Sequence, residues 1–415
     1  MLTEAVKITS SVKLYGGLNC SDGWRYIGNV KRSPWTAASD ETPLAIDGSG
    51  SRPEITVGIH GFEIEAQSAT VPGNSSIAVT VNEASVNFVR SDIIAQNGAP
   101  GSNGTTPTGF LGPVDADDGL IKGSDGGDAT MSAMSSPGGP PKANMYCSDS
   151  VGGPGGTGYT TGGADGSAGS PFVSGKGVAG HGQGINAILD CPSSSINIDG
   201  SAGAEGTPGK GVMDPGQLVP INGVVKYLGA VGSSGGDGSV GQGGGGGGAS
   251  KGKSGYTGAG GGSGGAGGCG GKGGTSGQSG GSSIGIVSVN ATLSFDEATI
   301  TVGHGGGGGD GGAGQTGAIA GKGGNGGNGS STLQILNGCP GGRGGQGGKG
   351  GKGGGGRGGH AIGIAFAGLP ILSPVGVSIV QQTAPGKPAP GGQGDNANGN
   401  MGDGAPGFVV DVQGF

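Results

Sequence analysis

The run Ser263-Gly264-Gly265-Ala266-Gly267-Gly268-Cys269-Gly270-Gly271-Lys272-Gly273-Gly274-Thr275 sets a side chain at every third position, with a glycine pair between. Arg343, Gln346, Lys349 and Lys352 repeat that spacing, and Asp310/Ala313 and Lys322/Asn325/Asn328 give shorter examples. A polyproline II conformation has three residues per turn, so this period lines the side chains along one edge and leaves two edges of bare backbone. Bare edges let neighbouring segments approach and exchange N–H···O=C bonds that an isolated extended segment cannot make. Collagen would require one glycine per triplet with abundant proline, whereas two of every three residues here are glycine. A flexible linker is the competing reading, because 114 Gly and 23 Pro in 415 residues meet the compositional mark of disorder. The triplet register and its interleaving with apolar segments favour ordered polyglycine II rods.

The rest of the composition narrows the choice of protein class. Hydrophobic residues make up 31% of the chain, aromatic residues 4% and charged residues 12%, well under the shares of an ordinary enzyme domain. Ordering this much glycine costs about 60–110 kcal/mol more than ordering alanine would, so dense backbone hydrogen bonding is needed to offset it. Net charge is −7, yet residues 241–360 hold eight Lys or Arg against three Asp or Glu. No apolar run of 18 residues is present, which excludes a membrane-crossing helix. Residues 1–11 lack the apolar core of a secretory signal. The alternation Val6/Ile8 and Val12/Leu14 begins at once, as if partway through a larger body.

Outside the glycine tracts, one segment occurs twice. Ser75-Ser76-Ile77-Ala78-Val79-Thr80-Val81-Asn82-Glu83-Ala84-Ser85-Val86-Asn87-Phe88 returns as Ser282-Ser283-Ile284-Gly285-Ile286-Val287-Ser288-Val289-Asn290-Ala291-Thr292-Leu293-Ser294-Phe295. Aligning Asn82 with Asn290 introduces a one-residue slip, and both asparagines then fall at bends. Alternation at Ile77, Val79 and Val81, then at Val86 and Phe88, turns one row inward on each strand. Ile93/Ala95 and Ile300/Val302 supply a third strand in each copy. Weaker copies occur at 185–189 with 196–198 and at 362–366 with 375–379. Leu44/Ile46, Ile55/Val57 and Phe62/Ile64 lie upstream, and 408–412 forms a last strand.

Short units that cannot bury their own apolar row stack on one another. The expected fold is therefore all-β: a right-handed parallel β-helix with polyglycine II arms inserted between its rungs. A hairpin sandwich would need tight turns, and long glycine excursions stand there instead. The boundaries follow: rungs at 1–97, arms at 98–184, 200–281 and 303–359, single rungs at 185–199 and 282–302, and C-terminal rungs at 360–415.

Val12-Lys13-Leu14-Tyr15-Gly16-Gly17-Leu18-Asn19-Cys20, with Trp24-Arg25-Tyr26, resembles a segment of glycine-rich secreted or surface β-helix proteins of myxobacterial type. The phrases at 72–78 and 359–365 resemble the same group. That resemblance implies export, often behind a lipoprotein anchor. The tracts also resemble the polyglycine II bundles of phage tail-fibre adhesins and springtail antifreeze proteins, which is a likeness of backbone architecture.

Little catalytic chemistry is written in the chain. Cys20, Cys147, Cys191, Cys269 and Cys339 include no C-x-x-C pair, which points away from zinc and redox work and toward disulfides clamping the excursions. Cys147, Cys191, Cys269 and Cys339 are the candidates for pairing, and Cys20 is the odd one left over. His60, His181, His304 and His360 share no ligand spacing and read as surface residues. Asp115, Asp117 and Asp118 echo a calcium loop without its distal glutamate. Asp92, Asp296 and Glu297 are the carboxylates a polysaccharide-active enzyme would have to bring together. Lys251-Gly252-Lys253-Ser254 echoes a phosphate loop only superficially, and Arg343 and Arg357 lack the aromatic partners of an RNA-binding tract. No catalytic residue, metal or cofactor is expected, and neither is a nucleic-acid partner.

The leading expectation is a non-enzymatic structural or adhesive protein of the extracellular space or cell surface. Lys272, Lys322, Arg343, Lys349, Lys352 and Arg357 would form a cationic edge toward anionic glycans or a neighbouring subunit. Open strand edges near Val6 to Leu14 would allow self-association into a fibre. The alternatives are a module binding ice, a receptor or a glycan, and a polysaccharide-active enzyme.

Overall fold

Ser76–Asn82 and Ser283–Val289, the two copies of the repeated segment, lie side by side as parallel strands, 207 residues apart in the chain. The offset holds from Ser76 opposite Ser283 through Ser85 opposite Thr292, with no slip. Asn290 therefore stands against Glu83, and both turn the corner in the left-handed conformation at φ +48°. Asn82 is not a bend residue: it lies within its strand, buried, and its amide donates to Asp47 Oδ1 at 3.1 Å.

The computed structural model describes all residues except 1, 29, 52–53, 132–133, 186–188, 190, 192–196, 222–223, 372–373, 383–387 and 397–400. Three parallel sheets share one core. The first orders Leu2–Thr3, Ser33–Thr36, Phe62–Ala66, Asp92–Ala95, Ala298–Val302 and Val377–Gln381. The second orders Val6–Ile8, Leu44–Asp47, Ser76–Asn82, Ser283–Val289, Ala361–Ala367 and Val409–Gly414. The third is shorter, with Val12–Tyr15, Ile55–His60, Ala84–Val89 and Thr292–Asp296. Cys20–Asp22 is the only helical turn among the described residues.

Like side chains meet across the ladders because the strands are parallel and in register. Phe88 stacks on its register partner Phe295 with ring centroids 5.7 Å apart, while Trp35, in register with Ile64, meets Phe62 diagonally and edge-on at 5.7 Å. Strands of the first sheet alternate buried with half-buried residues, as in Phe62–Ala66. Ser76–Asn82 is buried along its whole length. Two facts explain this. First, the alternation changes phase at Ala78: Ala78 and Val79 both enter the shared core, while Ile77 faces outward. Gly285 and Gly363 occupy the same step, where a Cβ would lie 2.3 Å from Ile300 Cγ2 and 2.7 Å from Ile379 Cγ2 respectively. Second, an antiparallel hairpin, Gln217–Ile221 with Val224–Leu228, covers the outer face, packing Val225 and Tyr227 against Ile77, Ile284, Val287 and Ile362.

The expected all-β right-handed parallel β-helix with separate polyglycine II arms is thereby corrected. Strands take up a minority of the chain, and the third sheet stops at four strands where the others have six. The glycine excursions do not stand apart as arms between rungs, because they bond to one another in a single lattice. Gly268, Gly271, Gly274, Gly277 and Gly280 donate to the carbonyls of Gly345, Gly348, Gly351, Gly354 and Arg357 at 2.8–2.9 Å. Gly344, Gly347, Gly350, Gly353 and Gly356 donate to Gly321, Ala318, Gln315, Gly312 and Gly309. Gly309, Gly312, Gln315, Ala318 and Gly321 donate to Gln278, Thr275, Lys272, Cys269 and Ala266, which closes a triangle of three rods.

Rods from 233–249 and 198–209 extend the lattice on the same three-residue period: Gly200, Gly203, Gly206 and Gly209 donate to Arg343, Gln346, Lys349 and Lys352. Buried backbone polar groups are thus paired without a sheet. The expected strands at 185–189 and 196–198 fall largely outside the described residues, and the carbonyl of Ile198 belongs to the lattice, accepting from Gly245 at 2.7 Å.

Candidate binding face

Glycine is required in the rods by distance. A Cβ at Gly271 would lie 1.9 Å from the Gln315 oxygen, and one at Gly347 would lie 1.9 Å from the Cys269 oxygen. Side chains therefore appear only at the third position, whose N–H in some rods bonds a backbone carbonyl, as from Ala266 to Ile121, and in others has a side-chain acceptor. A side chain of the adjacent rod accepts many of these N–H groups. Ser263 Oγ accepts from Ser124 at 2.8 Å, Asp128 Oδ1 from Asn328 at 2.7 Å, and Asp199 Oδ1 from Arg343 at 2.7 Å. These Ser and Asp clamps were not anticipated from the sequence. Their signal was available: short acceptor side chains at the third position, where charge alone drew notice.

The cationic edge expected from Lys272, Lys322, Arg343, Lys349, Lys352 and Arg357 is not formed. Lys272 pairs with Asp237 at 2.7 Å and Lys322 with Asp117 at 2.5 Å. Lys352 donates to the Gly394 carbonyl at 3.0 Å. Arg357 is buried at 6% exposure, bonded to the Met213 carbonyl, with its guanidinium 4.7 Å above the Phe408 ring. Only Arg343 and Lys349 point freely outward. Acids on neighbouring rods share the same period, which a single tract cannot reveal.

The other sequence candidates divide as follows. Disulfides join Cys147 to Cys269 and Cys191 to Cys339, and Cys20 is free and exposed. Asp117 is turned to Lys322 and Lys122, and those pairings hold its carboxyl below the usual range. Among the described residues no cluster of three His, Cys, Asp or Glu could hold a metal ion. Asp92 is held by Arg32, and Asp296 and Glu297 are exposed beside the end of their strand.

His360, expected at the surface, is fully buried between Phe408, Tyr227 and the Pro215 carbonyl. Its Nδ1 accepts the Phe408 N–H at 2.9 Å, so Nε2 carries the proton and donates to Pro215 at 3.0 Å. Burial pushes its pKa down to about 4, with Arg357 adding to the shift against the Pro215 bond.

One surface of the lattice gathers what the tracts separate. The rod at 257–281 runs into the strand Ser283–Val289, so the lattice has a sheet end and a far end. Chain reversals collect at the far end. Met131 bridges Tyr256, and the Tyr159 carbonyl accepts from Gly252 and Gly258. Lys253 Nζ reaches Gln334 Oε1 at 3.2 Å, and Lys251 Nζ reaches the Ile185 carbonyl at 2.8 Å.

Five turns thus share one face, which exposes Met131, Met134, Tyr159, Ile185 and Leu336. Met134, at 93% exposure, contacts almost nothing. The described residues of these reversals, 130–131, 134–136, 159–163, 183–185, 250–257 and 329–337, include Lys251 and Lys253 and no carboxylate. Exposed Met and Tyr on rigid supports, with adaptable hydroxyls between them, are the residue types of recognition surfaces.

Comparison of the chain with protein-family models, with curated proteins and with solved structures found no match. No helix among the described residues is long and apolar enough to cross a membrane.

Proposed function

We propose that this is a non-enzymatic adhesive protein of the extracellular space or cell surface, whose glycine lattice is a rigid stalk and whose far-end turns make contact. The observation that carries this reading is the convergence of five reversals exposing Met131, Met134, Tyr159, Ile185 and Leu336, whose turn segments contain no Asp or Glu. Large exposed apolar side chains gathered on one surface mark interaction sites. The two disulfides support maturation in an oxidising compartment. The stalk supports the role by its stiffness, because each rod is braced by several neighbours and the turns inherit that order.

Sedimentation of the full chain with insoluble polysaccharides and with cell envelopes tests the reading. The unmodified protein is expected in the pellet with at least one of them, and Met134→Asp/Tyr159→Asp is expected in the supernatant. Equal sedimentation of the two proteins, or no retention of the unmodified one, refutes it.

A further inference from the structure

At the opposite end of the molecule, the outer face of the third sheet carries a second cluster. Tyr15 stacks on His60 with ring centroids 4.8 Å apart. Gly58 sits beneath them: a Cβ there would lie 3.0 Å from His60 Nε2 and 3.2 Å from Lys13 Cγ, so the glycine lets both side chains lie flat on the sheet. Next along the chain is Gly61, over which the Tyr26 ring lies, 3.5 Å from where a Cβ would be. The Arg90 guanidinium covers that ring at 5.0 Å. The result is a shelf built of a stacked Tyr15–His60 pair and a Tyr26 ring capped by Arg90, with Lys13 beside the pair. Trp24, 65% exposed with φ +63°, stands at the tip of the hairpin that delivers Tyr26.

Among the described residues neither Lys13 nor Arg90 has an ion-pair partner, and Asp22, Asp47 and Asp92 are engaged by Arg25, Lys7 and Arg32, while Glu297, opposite Arg90 at the end of the next strand, is exposed. Asp296 shares the register row of Tyr15 and His60 but stands two strands beyond His60. Burial first, then Lys13 and Arg90, hold His60 below its ordinary pKa. Aromatic faces take the apolar face of a sugar ring, and unpaired cations beside them take an acidic substituent.

We infer that the Lys13, Tyr15, His60, Tyr26 and Arg90 shelf is a binding site for an acidic sugar carrying a carboxylate, within a polysaccharide chain. The site is separate from the far-end face, so its failure would leave the adhesive reading standing. Lys13 and Arg90 pair with the carboxylate, the exposed face of Tyr15 seats the ring, and Tyr26 holds the Arg90 guanidinium in place.

Titration of the full chain with oligogalacturonate by calorimetry tests the site, with neutral cello-oligosaccharide and dextran sulfate as comparators. Oligogalacturonate is expected to bind and the neutral sugar not to, with affinity falling as salt rises to about 0.5 M. Lys13→Gln/Arg90→Gln is expected to lose about tenfold in affinity, and Tyr15→Ala to weaken binding while leaving the salt dependence unchanged. Tyr159→Asp, on the far-end face, is expected to bind as the unmodified protein does. Unchanged affinity in Lys13→Gln alone, which perturbs only an exposed side chain, overturns the site. So does dextran sulfate binding as tightly as oligogalacturonate with no effect of Tyr15→Ala, because that would be simple ion exchange.

Discussion

Replacing Gly271 by alanine puts a methyl group at the centre of the three-rod triangle. Its Cβ would lie 1.9 Å from the Gln315 oxygen and 3.1 Å from the Gly350 nitrogen, the two atoms of a hydrogen bond 2.9 Å long. Relieving that contact moves one rod by about 1 Å or more, enough to break the bond from Gly350 to Gln315 and to strain those from Gln315 to Lys272 and from Gly271 to Gly348. Each lost bond costs about 0.5–1.5 kcal/mol net, or about 1–3 kcal/mol where a buried group is left without a partner. Alanine's smaller chain entropy in the unfolded state returns about 0.4–1 kcal/mol. The expected net destabilisation is about 2–5 kcal/mol.

Gly109→Ala is the control, since nothing lies within 4 Å of its Cβ position, and it should be neutral or slightly stabilising. Chemical denaturation gives the stability change, and amide exchange at Gly347, Gly350 and Gln315 shows whether the damage is local to the triangle. If Gly271→Ala matched Gly109→Ala in stability, the close approach of the rods would not be what holds the lattice together.

The remaining predictions concern pH and redox state. His360 is neutral in the fold with a pKa of about 4, against about 6.5 in the unfolded chain. Its burial therefore costs nothing above pH 6.5. As pH falls from there to 4 the unfolded state takes up the proton first, and stability declines by about 3 kcal/mol. Denaturation midpoints at neutral and acid pH should show this limb, and His360→Gln should flatten it; an unchanged limb would assign the acid sensitivity elsewhere. Reducing Cys147–Cys269 and Cys191–Cys339, which close loops of 122 and 148 residues, should remove about 2–4 kcal/mol each. Thermal melts with and without reductant read the change, and coincident melts would mean that the crosslinks do not restrict the unfolded chain as loop closure requires.

Much of this molecule is local and so was legible in one dimension. The three-residue period dictates where side chains can stand, because two of three backbone positions in a packed rod have no room for a Cβ. The kinship of Ser76–Asn82 with Ser283–Val289 is equally visible, because parallel strands in register place like residues in like surroundings. The sequence offers four cysteines for pairing and leaves Cys20 over, and it does not say which joins which; the bridges Cys147–Cys269 and Cys191–Cys339 come from the packing.

What depends on neighbours was not legible. The change of phase at Ala78 shows only against the hairpin that covers Ile77, and that hairpin lies inside a stretch whose composition reads as arm. Arg357 looks like Lys349 in the sequence, yet one is buried over Phe408 and the other is exposed. Lys272 and Lys322 seemed a cationic edge until Asp237 and Asp117, from 35 and 205 residues away, were brought beside them. Period and composition act within one segment, so the chain itself determines which positions are bare and which bear side chains. Which rods meet is decided by hydrogen bonds and ion pairs between segments far apart in the chain, and the far-end face and the ring shelf exist only because tertiary packing brings their turns and strands together.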